Sequence, residues 1–257
     1  MRCDCLKCYF LSGEQMSRHF SAIGFNISND AELLDFAREC VGRSDAYQSD
    51  RRDFSGAGFR WEAGRGIEVW TAVRPLNGDE DYEIVSCLPA WRCEETLNLR
   101  AWRLLRHPLD KSELLMLARL DDGRELSFAL PNLWQNPELP ARGMDGGVHL
   151  AGLALEAEFS TFESAPRLLD ERQADSPVKT LDSALIPLDR DNHYRVAGRI
   201  LEADETSNIH SGVRLWKIRL DIDGLHLPLI FPKDISSGAP APGLRFDGLI
   251  WLCGLLP

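Results

Sequence analysis

The sequence predicts an α+β fold: a small N-terminal α+β domain followed by two repeated, mainly antiparallel β modules. Three observations carry this prediction. The first third mixes one amphipathic helical segment with several short alternating segments. Two pairs of blocks then recur in the same order. RLDDGRELSFALPN (119–132) matches RLDIDGLHLPLIFPK (219–233), and GVHLAGLALEAE (147–158) matches GLRFDGLIWLCG (243–254). Finally, Asp-Gly turns separate apolar strand patterns in both halves.

Composition sets the outer limits. The chain has 257 residues, 40 Asp and Glu against 29 Lys and Arg, and a net charge of −11. Hydrophobic residues make up 44%, enough to build cores and too many for a disordered chain. The negative charge disfavours broad, sequence-independent contact with a phosphate backbone. No apolar run approaches the roughly 18 residues of a membrane span. Asp4 and Lys7 interrupt what would be the core of a signal peptide, so a cytoplasmic location is expected. Seven widely spaced cysteines do not form a disulfide framework. Cys3, Cys5 and Cys8 form CxCxxC, one thiolate short of a closed zinc site unless Cys40 or Cys87 supplies the fourth. The plainer reading is a leader or tail over 1–15, with Met16 opening the folded chain. No metal and no other cofactor is expected.

The N-terminal domain spans 16–92. From His19, HFSAIGFNI alternates like a strand. Asp30, or else Ser28, caps a helix over AELLDFARECV, whose apolar face carries Leu33, Leu34, Phe36, Ala37, Cys40 and Val41. Gly42 stops that helix and 43–56 is a polar loop. A hairpin follows, turning at Ala63-Gly64-Arg65-Gly66, and YEIVSCLP (82–89) is a further strand.

The first β module covers 93–163, with strands over 99–107, 112–122, 124–131 and 148–159. Residues 164–189 form a linker with a possible short helix. The second module covers 190–257, with strands YRVAGRILEAD, GVRLWKIRLDI, LHLPLIFP and LRFDGLIWLCGLL. Gly152 and Gly248 match across the repeat and sit mid-strand, where glycine permits a sharp bend. In strand order and spacing these modules resemble the OB-fold barrel. One larger duplicated sheet sharing edges across the repeat is the alternative. The last strand, around Trp251, is apolar without alternation, so both its faces should be covered.

Three functions compete. An acidic chain without a catalytic motif fits a non-enzymatic protein-binding or regulatory role, such as neutralising a basic partner in the manner of an immunity protein. The OB-like resemblance implies single-stranded nucleic-acid binding as an alternative. Its candidate surface is Arg199, Arg214, Lys217, Arg219 and Arg245, with Trp216 expected in the core. The first copy offers Arg100, Arg103, Arg106 and Arg119, and Asp110, Glu113, Asp121, Asp122, Glu125, Asp204, Glu205, Asp221 and Asp223 would line or flank the same surface. The third reading is a hydrolase with an interdomain carboxylate site, from Glu62 and Glu68 across the hairpin or from His107, Glu68 and Asp121. The six histidines are scattered and none lies in a metal-binding or nucleophile motif.

Overall fold

The computed structural model describes residues 13–49, 56–76, 82–106, 114–135, 142–163, 183–188 and 192–257. The CxCxxC segment, His107 and most of the linker lie outside them.

Two helices open the chain: α1 (Gly13–Ala22) and α2 (Asp30–Arg43). The strand expected from His19 is therefore the end of α1. His19, Phe20 and Ile23 are fully buried, a helical rather than an alternating spacing. A glycine turn ends the helix. Gly24 adopts φ 87°, its N–H donates to Ser21 O at 2.9 Å, and Phe25 N–H donates to Phe20 O at 3.0 Å. This is the Schellman arrangement, completed by the edge-on contact of the Phe20 and Phe25 rings. The cap of α2 is Asn29, one residue before the expected Asp30. Asn29 Oδ1 accepts the Glu32 N–H at 3.0 Å, and Glu32 accepts the Ser28 N–H at 2.8 Å in return. Gly42 lies inside α2, which ends where the Ser44 N–H reaches Val41 O.

The first sheet is antiparallel, in the order β1 (Asp45–Ser49), β2 (Gly56–Gly64), β3 (Ile67–Pro75), β4 (Tyr82–Trp91). The β2–β3 turn falls at Arg65-Gly66, both with positive φ, as the glycine-rich sequence predicts. Strand β1 occupies part of the expected loop.

The rest of the chain forms one nine-stranded mixed sheet. Its strands are β5 (Leu97–Arg106), β6 (Leu114–Leu120), β7 (Glu125–Ala129), β8 (Arg142–Ser160), β9 (Ala184–Pro187), β10 (His193–Ser207), β11 (Arg214–Ile222), β12 (Leu225–Pro232) and β13 (Arg245–Leu255). The order is β11-β12-β8-β5-β6-β7-β13-β10-β9, with further pairings β10–β11 and β8–β13.

This corrects the expectation of two OB-like barrels. The halves do not close separately, because each lends a strand to the other. β7 pairs parallel with β13 at Ala129 and Cys253, and β12 pairs parallel with β8 at Leu229 and Ile230. β8 and β13 run antiparallel along the whole of β13. The pairings of β5 to β8 nevertheless repeat in β10 to β13: the first strand pairs with the second and the fourth, and the third pairs with the second. Ala154 and Ile250, 96 residues apart like Gly152 and Gly248, face each other in the central ladder. The physical reason for one sheet is the apolar content of β13. Trp251, Cys253 and Leu255 belong to a core shared with Phe20, Leu33 and Trp70 of the N-terminal region. Ile250 and Leu252 belong to a second core with Phe128, Leu220 and Phe231. A strand with two apolar faces is stable only between two layers.

Candidate functional site

Each of the five sequence-derived cations has a defined place. Arg245 is buried and makes a two-pronged pair with Asp247, at 2.8 and 3.0 Å. It is a core residue, not a surface contact. Arg199 lies over the Phe162 ring at 4.6 Å. Arg214 on β11 reaches Glu205 on β10 at 2.6 Å. Lys217 lies 3.9 Å from Asp204, and Arg219 bonds Glu202 and, at 3.1 Å, Glu95. Cross-strand register explains this: Glu202 opposes Arg219 and Asp204 opposes Lys217. Trp216, expected in the core, is half-buried, with the Lys233 ammonium 4.1 Å from its ring. The arginines and lysine are thus interleaved with carboxylates and form no continuous basic groove.

The carboxylates mark a different feature. A cavity of about 660 Å³ opens between β12, from Leu225 to Pro228, and the segment Glu95–Asn98 leading into β5, with Leu150 in its lining. It exists because β12 and β8 pair only at Leu229–Gly152 and Ile230–Leu153 and splay apart before that point. The two Asp-Gly turns, equivalent in the repeat, come together beside it. Arg124 after the first turn donates to Ile222 O at 2.7 Å, just before the second turn, and to Asp223 O at 3.4 Å, within it. Two smaller hollows share residues with the cavity and extend it. One, of about 120 Å³, adds Glu94, Glu202 and Asp204. The other, of about 370 Å³, adds Asp145 and Arg100.

Seven carboxylates and three cations line this groove, and a fourth cation, Arg124, pairs with one of those acids from beside it. Asp121 pairs with Arg100, and Arg124 holds Asp122 through its guanidinium and backbone N–H. The side-chain hydrogen bond from Arg124 keeps the Asp122 carboxyl below its usual range, and the one that Arg100 donates to Asp121 raises Arg100. The Asp122 carboxyl is therefore charged at neutral pH. His226 lines the cavity, and His149 on β8 meets the backbone carbonyl of Glu95 at 3.2 Å.

Residues 169–254 match a family described as "Domain of unknown function, E. rectale Gene description (DUF3881)". The match runs from the linker into β13, so it takes in the β12 wall of the groove and leaves out the Glu94–Asn98 wall. No curated protein and no solved structure matches the chain.

The carboxylate pairs expected for a hydrolase have other roles. Glu62 and Glu68 do oppose each other across β2 and β3. Glu68 is fully buried, however, and accepts from Arg60 at 2.7 Å, Arg92 at 2.8 Å and the Trp70 indole N–H at 2.9 Å. Arg92 also donates to Leu256 O at 3.4 Å, tying the first sheet to the C-terminal strand. Asp121 belongs to the groove instead. Among the described residues, no three His, Cys, Asp or Glu side chains are placed to hold a metal ion. No described helix is long and apolar enough to cross a membrane. The sequence marks Asp121, Asp122 and Asp204 as acids near the candidate surface. It does not mark Glu94, Glu95, Asp145 or Glu202, which only the splay of β12 from β8 gathers.

Proposed function

We propose that this chain is a non-enzymatic binding protein whose acid-lined groove receives a basic segment of a protein partner. The observation that carries the reading is the surplus of carboxylates in the cavity between β12 and the start of β5. Surface complementarity of this kind raises association rates and selects partners by charge. An extended segment suits the site, since β12 from Leu225 to Pro228 has no strand paired on its groove side among the described residues. We place the protein in the cytoplasm. Cys40, Cys87, Cys93 and Cys253 are free, buried thiols, in keeping with a reducing compartment.

The test uses a fluorescently labelled, Lys/Arg-rich synthetic peptide and anisotropy. The peptide should bind, weaken about tenfold as salt rises from about 0.05 to 0.3 M, and lose affinity in a Glu95→Gln, Asp121→Asn variant. A Glu-rich peptide of equal length should not bind. Micromolar, salt-sensitive binding of a single-stranded oligonucleotide, with none of the basic peptide, would replace this reading with the nucleic-acid one.

A further inference from the structure

Helix α1 is seated by a pair of histidines that lies outside the groove. His19 is fully buried and His193, at the start of β10, is 7% exposed. Their Nε2 atoms are 3.0 Å apart. At that distance one ring must present an N–H and the other a lone pair. The His19 ring also stacks on Trp251 of β13, with centroids 4.6 Å apart and planes 17° from parallel. Its second nitrogen, Nδ1, is buried without a hydrogen-bond partner.

We propose that the His19–His193 pair is an acid-sensitive latch that holds α1 on the sheet and releases it when both rings are protonated. The seat accommodates one proton at most. With both rings charged, two N–H groups would point at each other across 3.0 Å, inside a core that offers little solvation. Whatever else His193 meets, the Nε2–Nε2 approach itself excludes a proton on both facing nitrogens, and the charges nearest α1 among the described residues are already engaged. Arg18 on α1 and Arg195 on β10 both reach Glu156 on β8, at 3.2 and 3.4 Å, so that carboxylate is already engaged by two cations. α2, β4 and β12 also pack on α1, and they contribute Leu33, Leu88 and Ile230 to its core. The thiols there, Cys40, Cys87 and Cys253, are pushed up by burial and stay neutral. Burial first, then His193 and Arg18, hold His19 well below its ordinary value.

The sign follows from linkage. An undocked His19 takes its proton near pH 6.5, whereas the docked ring takes it only at lower pH. Docking is at full strength above pH 6.5 and weakens as pH falls below it.

Hydrogen exchange of the whole chain, corrected for intrinsic rates, reads this directly. Between pH 6.5 and 5.5 the opening of residues 17–25 should rise about tenfold while β13 keeps its protection. In His19→Phe, which keeps an aromatic ring on Trp251, the rise should vanish. In the unaltered protein, nuclear magnetic resonance should show the His19 ring titrating well below the ordinary histidine range. Three results would each overturn the latch: flat protection of α1, an equal rise in His19→Phe, or a His19 ring titrating near pH 6.5 with α1 still docked. Joint loss of α1 and β13 protection would equally overturn it, as general acid unfolding.

Discussion

Arg245 shows how far a single residue is legible. Its alternation with apolar neighbours resembles that of a solvated strand face. The clue to its burial is Asp247, two positions on and therefore on the same face of β13. Removing one partner of so buried a pair strands the other. Arg245→Met should cost about 3–5 kcal/mol in denaturant unfolding, and adding Asp247→Leu should recover most of the loss. Glu156 is the opposite case. It is half-exposed and its two ion pairs are screened, so Glu156→Ala should shift stability by less than about 1 kcal/mol. Glu68 lies between them, because the Arg60 and Arg92 side chains it compensates keep about a quarter of their surface in water.

Among the elements, those with local chemistry were readable. The Arg65-Gly66 turn, the Asp-Gly turns and the strands β10 to β13 follow from turn residues and alternation. Helix α1 was not, because His19 to Phe25 satisfies both periodicities and only the Gly24 termination decides between them. Strand β1 carries the polar sequence DAYQS and owes its conformation to pairing with β2. The two mid-strand glycines also differ in a way that the repeat conceals. A Cβ at Gly248 would lie 2.1 Å from the backbone oxygen of Glu156, beside the bulge opposite Leu249 and Ile250. At Gly152 the nearest atom, at 2.4 Å, is the movable end of the Leu229 side chain. Gly248→Ala should therefore destabilise by about 3 kcal/mol and Gly152→Ala by about 1 kcal/mol, as midpoints in chemical denaturation would show.

At the scale of the whole molecule, β8 and β13 form the central ladder and separate the two cores. Trp251 lies on the N-terminal side of it, stacked on His19, and is 2% exposed. Trp251→Ala should cost about 3–5 kcal/mol and loosen α1 along with the sheet. The exchange of β7 and β12 between the halves is what the sequence could not display, since a parallel pairing of distant strands leaves no local mark. The groove is a product of the same exchange: β12 crosses to β8 for two residues only, and the acids of both halves gather where it departs. Its role as a binding site is tested most directly by locating the peptide. With the Lys/Arg-rich peptide at saturation, hydrogen exchange should slow at residues 94–98, 121–122 and 225–228 and stay unchanged on the first sheet. Protection confined to the first sheet, or a bound peptide that leaves those three segments unaltered, would contradict a groove built to receive a basic partner.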